Sequence, residues 1–157
     1  GFLRFNLLQP DGAIDAYEAA HRMQPADSLD IASLGIADVA RFDQGDKAFH
    51  IVKDGHRAAH RRRLKEAGIP VEQAEQEGQL EIRPWEDAYL RDGRFDQNRM
   101  LALIEEVLQG GKMQGYPLTR LVANMEWALE DRPGVDDIVE YETRLNYVLP
   151  KYDDAVC

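Results

Sequence analysis

The chain has almost no cysteine: among 157 residues there is one, Cys157, at the last position. One thiol excludes an intrachain disulfide and a cysteine-rich metal site, and it fits a reducing, cytoplasmic compartment. No apolar run approaches the ~18–20 residues needed to cross a bilayer. No basic start followed by an apolar middle marks a secretory leader. Serine is scarce too. Ser28 and Ser33, with Cys157 and the threonines, are the only candidate side-chain nucleophiles, and none lies in a GxSxG elbow or beside a motif histidine. That argues against a hydrolase. Phosphate-binding loops are also missing. Gly110-Gly111-Lys112 runs into Met113 where serine or threonine is required, and position 106 is Glu106 where the loop needs glycine. No GxGxxG occurs, so a dinucleotide fold of the usual kind is disfavoured. Cations are outnumbered, 19 Lys and Arg against 29 Asp and Glu, for a formal net charge of -10. An acidic surface repels phosphate, which argues against direct nucleic-acid binding.

What is present is ordinary globular composition, 44% hydrophobic and 31% charged, in a length that suits one domain. Phe2–Leu8 reads as a strand ended by Pro10-Asp11-Gly12. Ala13–Met23 and Asp30–Phe42 read as helices, the second weakened by Gly35. From Gly45 the pattern sharpens. Lys47–Val52 (KAFHIV) is short, continuous and apolar, as a buried strand is. Asp54 is placed to cap a helix over Gly55–Ala67, which Gly68 closes. Val71–Glu77 is a short helix, Leu80–Arg83 a strand, and Trp85–Leu90 helical in part. Asp96 is placed to cap the clearest helix, Gln97–Gln109, with Met100, Leu103, Ile104, Val107 and Leu108 on its apolar face and Gly110-Gly111 as its stop. Leu118–Met125 is a strand. Asp136 or Asp137 caps a last helix with Ile138, Tyr141, Leu145 and Val148 on one face, stopped by Pro150. Alternating strands and helices with short connections predict a three-layer α/β fold: a mainly parallel sheet of about four or five strands with helices on both faces.

Open α/β sheets bind ligands beyond the carboxyl ends of their strands. His50 falls near that end of KAFHIV, on the face of Ala48 and Val52. Glu126 and Trp127 follow Leu118–Met125, and Trp85 and Glu86 follow Leu80–Arg83. A carboxylate beside an indole offers one polar anchor and one apolar wall, although Trp127 can equally pack the last helix. Arg120 and Glu142 are weaker candidates. His56 and His60 have the i, i+4 spacing of helical zinc pairs, but Arg57 and Arg61–Arg63 around them oppose a divalent ion, and a solvated basic face is the expectation. No cofactor, no metal and no catalytic residue is expected.

Four segments then stand out together: GDKAFHIV (Gly45–Val52), LEIRPWEDAYL (Leu80–Leu90), FDQNRMLALIEEVL (Phe95–Leu108) and the whole of Leu118–Cys157. In this order and spacing they resemble the MEDS domain, the methanogen/methylotroph sensory domain, over residues 37–157, with 1–36 a divergent segment of the same domain. The resemblance implies a RecA/KaiC-like core without the nucleotide-hydrolysing loops. It implies a non-catalytic sensory role in prokaryotic signalling, with a small, hydrocarbon-derived or related ligand. It also implies a partner such as a histidine kinase or a transcription regulator, as in a repressor of dichloromethane degradation. The family opens with a strand carrying a histidine, which Phe2–Leu8 lacks, and it continues past Cys157. The expectation is therefore a sheet incomplete at its C-terminal side, whose bare edge invites homodimerisation. Two other readings stay open from the residues: a protein-interaction module without a small ligand, and a nucleotide-binding NTPase-like domain.

Overall fold

A computed structural model describes residues 45–152 and the backbone of 155 and 156. The strand expected at Phe2–Leu8 and the helices expected at Ala13–Met23 and Asp30–Phe42 lie outside the described residues. Among the described residues, four strands form one sheet: β1 (Lys47–Val52), β2 (Leu80–Pro84), β3 (Thr119–Ala123) and the two-residue β4 (Ala155–Val156), in the order β2-β1-β3-β4. All pairs are parallel, Ala48 standing opposite Leu80 on one side and Arg120 on the other. The described α-helices are α1 (Arg57–Glu66), α2 (Val71–Glu77), α3 (Gln97–Met113) and α4 (Ile138–Val148). The expected α/β architecture is what the chain adopts.

β1 is buried along its whole length because it is central and covered on both faces. Its alternate residues feed two separate cores. Ala48 and Val52 join Leu80 and Ile82 of β2 under α1 and α2, through Leu64, Val71 and Ala74. Phe49 and Ile51 join Leu121 under α3 and α4, through Met100, Ile104, Leu108, Tyr141 and Val148. Helices therefore lie on both faces. The second core is much the larger, since the loop residues Trp85, Tyr89, Leu90, Phe95 and Trp127 enter it too.

Several local expectations need correcting. α3 does not stop at Gly110-Gly111 but runs on to Met113. Gly111 is a packing residue there: a methyl group on its Cα would collide with the Thr119 hydroxyl of β3. Asp54 does not cap α1, whose N-terminal residue His56 makes no side-chain cap; its carboxylate instead accepts the Glu86 backbone N–H at 3.4 Å. Asp137 precedes α4 without a side-chain cap. Asp96 does cap α3, accepting from the Arg99 N–H at 3.0 Å. No described helix is long and apolar enough to cross a membrane.

Candidate functional site

The strand order defines where the connections diverge. From β1 the chain turns toward β2, and from β3 it turns the other way, toward β4. The carboxyl ends of β1 and β3 are neighbours, bridged by the Asn124 N–H to the Ile51 carbonyl at 3.1 Å. This is the topological switch point, the crevice where open parallel sheets place ligands.

Three loops converge there. Lys53 and Asp54 follow β1, Trp85 to Asp87 follow β2, and Asn124 to Arg132 follow β3. Trp85 is 1% exposed and donates its indole N–H to the Asn124 carbonyl at 3.0 Å, so the ring is fixed. The Lys53 ammonium lies over that ring, 5.3 Å from its centroid, and 4.0 Å from the Glu130 carboxylate. Arg132 holds the other Glu130 oxygen at 2.6 Å. Burial raises the Asp54 carboxyl above its ordinary value, opposed first by a backbone hydrogen bond at Trp85 and then by the Arg132 charge. The crevice thus combines one immobilised indole with carboxylates and cations in partial contact with water.

The residues expected from sequence divide among several places. Trp85 and Glu86 lie at the crevice, Trp85 buried and Glu86 exposed. Glu126 is half-buried in the loop after β3, its N–H donating to the Asn124 side chain at 3.1 Å. Trp127 is fully buried in the aromatic core, its ring centroid 4.8 Å from both Tyr89 and Phe95. Glu142 lies on α4, its carboxyl raised by burial. His50 and Arg120 are on the other face of the sheet, His50 under α1. His50 is 1% exposed, and its Nδ1 meets the His60 Nε2 at 2.8 Å with the rings edge to face. One nitrogen donates and the other accepts. Burial, then the neighbouring His60, then Arg120 push the His50 pKa down to about 3. His60 is lowered as well, by burial and then by Arg63.

That pair corrects the picture of α1 as a wholly solvated basic face. His60 points inward, and two of the four arginines pair across to α2: Arg57 and Arg61 with Glu75, and Arg61, like Lys65, with Glu72. Lys53, Asp54, Glu130, Arg132 and the partner role of His60 are not singled out by the sequence pattern. The signal that marks the first four is position just beyond β1 and β3, and it becomes readable only with the strand order. Among the described residues no group of three or more His, Cys, Asp or Glu is arranged to hold a metal.

A family model described as MEDS, the MEthanogen/methylotroph, DcmR Sensory domain, matches residues 38–157. The chain belongs to the MEDS family. The match covers every strand and helix described above, so the crevice and the histidine pair both lie inside the MEDS domain. MEDS is a sensory-domain family, which gives the chain a sensory role. No curated protein and no solved structure matches the chain significantly.

Proposed function

We propose that this MEDS domain senses a small molecule bound at the carboxyl ends of β1 and β3, without catalysing a reaction on it, and passes occupancy to a signalling partner. The observation that carries the reading is the convergence of Lys53, Asp54, Trp85, Glu130 and Arg132 at the switch point. Glu86 and Glu126 border the crevice. Trp127 is a core residue of the loop after β3, and Glu142, His50 and Arg120 stand outside this group. The hydrocarbon-derived ligand, the histidine-kinase or transcription-regulator partner and the homodimer belong to this proposal, as do the cytoplasmic location and the RecA-like ancestry. Signalling requires a ligand with unequal affinity for two states of the domain. The loop Lys53–His56 leads directly into α1, which makes α1 the element that moves with occupancy.

The test is a thermal-shift screen of the full chain against common metabolites, C1 and small halogenated compounds, and ATP with magnesium. A ligand of the folded state raises the melting temperature saturably, and Asp54→Asn is expected to weaken that response at least tenfold. A response indifferent to Asp54→Asn places the ligand elsewhere. A cooperatively melting protein that answers to no compound, yet forms a stable complex with a kinase or regulator, is an interaction module.

A further inference from the structure

The cation in the crevice belongs to the chain itself, and it is loosely held. The Lys53 side chain keeps 40% of its surface exposed, and its 4.0 Å approach to Glu130 is at the outer edge of an ion pair. Exposed pairs of that kind contribute little. The indole it rests on is by contrast rigid. The Trp85 ring is buried and tied to Asn124, and the Glu130 carboxylate is held from its other side by Arg132. A flat aromatic face beside a carboxylate is the arrangement that attracts ammonium ions, through the ring quadrupole and direct charge.

We propose that Lys53 is an internal stand-in, and that its seat on Trp85 and Glu130 is a binding site for a small organic ammonium ion. The proposal deepens the sensor reading and rests on it. The occupant's size follows from what it displaces, an ammonium with the end of a four-carbon stem, so the ligand is a primary or methylated amine of a few carbons. Its charge follows from the neighbours. Asp54, Asp87 and Glu130 face Lys53 and Arg132, and lifting Lys53 leaves three carboxylates against one guanidinium. An anion entering the same seat meets that excess. Displacement also supplies the signal: Lys53 adjoins the loop into α1, so expelling its side chain changes the helix's attachment at the moment of binding.

The experiment is chemical rescue in the full chain. Lys53→Ala empties the seat, and n-butylammonium chloride, a lysine side chain without its backbone, is titrated into variant and wild type. Tetramethylammonium chloride is run in parallel, with sodium chloride and n-butanol as controls. Expected is a saturable rise in the Lys53→Ala melting temperature at concentrations about tenfold below those wild type requires, with no matching effect of n-butanol. Adding Glu130→Gln to Lys53→Ala abolishes it. In wild type, tetramethylammonium is expected to shift the Trp85 indole N–H resonance saturably, a readout independent of how Lys53→Ala folds. Equal responses of variant and wild type, equal effects of butanol and butylammonium, or an unmoved indole resonance overturn the ammonium site. If ammonium ions fail while a neutral or acidic compound binds in a manner dependent on Asp54, the ligand class is wrong and the sensor reading stands. If nothing binds, both fall.

Discussion

His50 and His60 show how one buried contact sets the behaviour of a domain in acid. His50 is neutral in the folded protein because a charge under α1 would lack water and face His60 and Arg120. Its folded pKa of about 3 lies below the ordinary value of about 6.5. The unfolded chain therefore binds more protons between those values, and stability falls as pH falls through that window. From pH 7 to 5 the loss from His50 alone is about 2 kcal/mol, with His60 adding in the same direction. Urea unfolding at the two pH values measures it, and His50→Met, which titrates nothing, is expected to flatten the slope; an unchanged slope would assign the acid sensitivity elsewhere. The sequence places His50 correctly on the Ala48 and Val52 face. It hides the partner, because His60 stands among arginines and reads as solvent-facing. Trp127 has the opposite history. As an aromatic after a strand it reads equally as a wall or as core, and its contacts with Tyr89 and Phe95 make it core. Trp127→Ala is expected to cost about 3–5 kcal/mol, seen as a large drop in unfolding free energy whatever the ligand does. Asp54→Asn and Lys53→Ala are the cleaner probes of the crevice.

Among the elements, α3 and α1 differ most from their sequence patterns. Gly110-Gly111 looks like a helix stop because glycine disfavours helix and is common just past helix ends. Here the tertiary contact decides: the absence of a side chain at Gly111 lets α3 approach Thr119 of β3. Gly111→Ala adds helix propensity, about 1 kcal/mol in its favour, and overpacks the β3 contact, about 1–3 kcal/mol against. The expected result is net destabilisation, relieved in part by Thr119→Ala; a stabilised Gly111→Ala would mean that β3 yields. Asp96 is legible from sequence because its cap geometry is local, and Asp96→Ala is expected to cost about 1 kcal/mol by denaturant unfolding. α1 is anchored more lightly. Leu64 is its only buried residue, and its other ties are His60 and the ion pairs to α2. Such an element opens at low free-energy cost. Amide exchange in Arg57–Glu66 is expected to be faster than in Gln97–Met113; slower exchange there would remove α1 as the moving part.

For the molecule as a whole, alternation of strand and helix was enough to announce a parallel sheet, since that connectivity leaves few alternatives. The order of the strands was not legible, because it depends on which helix covers which face and no local residue encodes that. The switch point, and with it Lys53, Asp54, Glu130 and Arg132, became visible only through the order. The same order has a consequence for how the chain comes together. The central strand is the earliest of the described ones in sequence, yet its two neighbours come later: Ala48 finds Leu80 first and Arg120 only after α3 has been made. Until Thr119 emerges from the ribosome, KAFHIV carries an open edge of unpaired backbone, the feature that draws one strand onto another of its kind. Nascent chains halted before β3 are therefore expected to associate with one another or with chaperones, and chains extended past Ala123 to lose that tendency, which sedimentation of stalled lengths would measure.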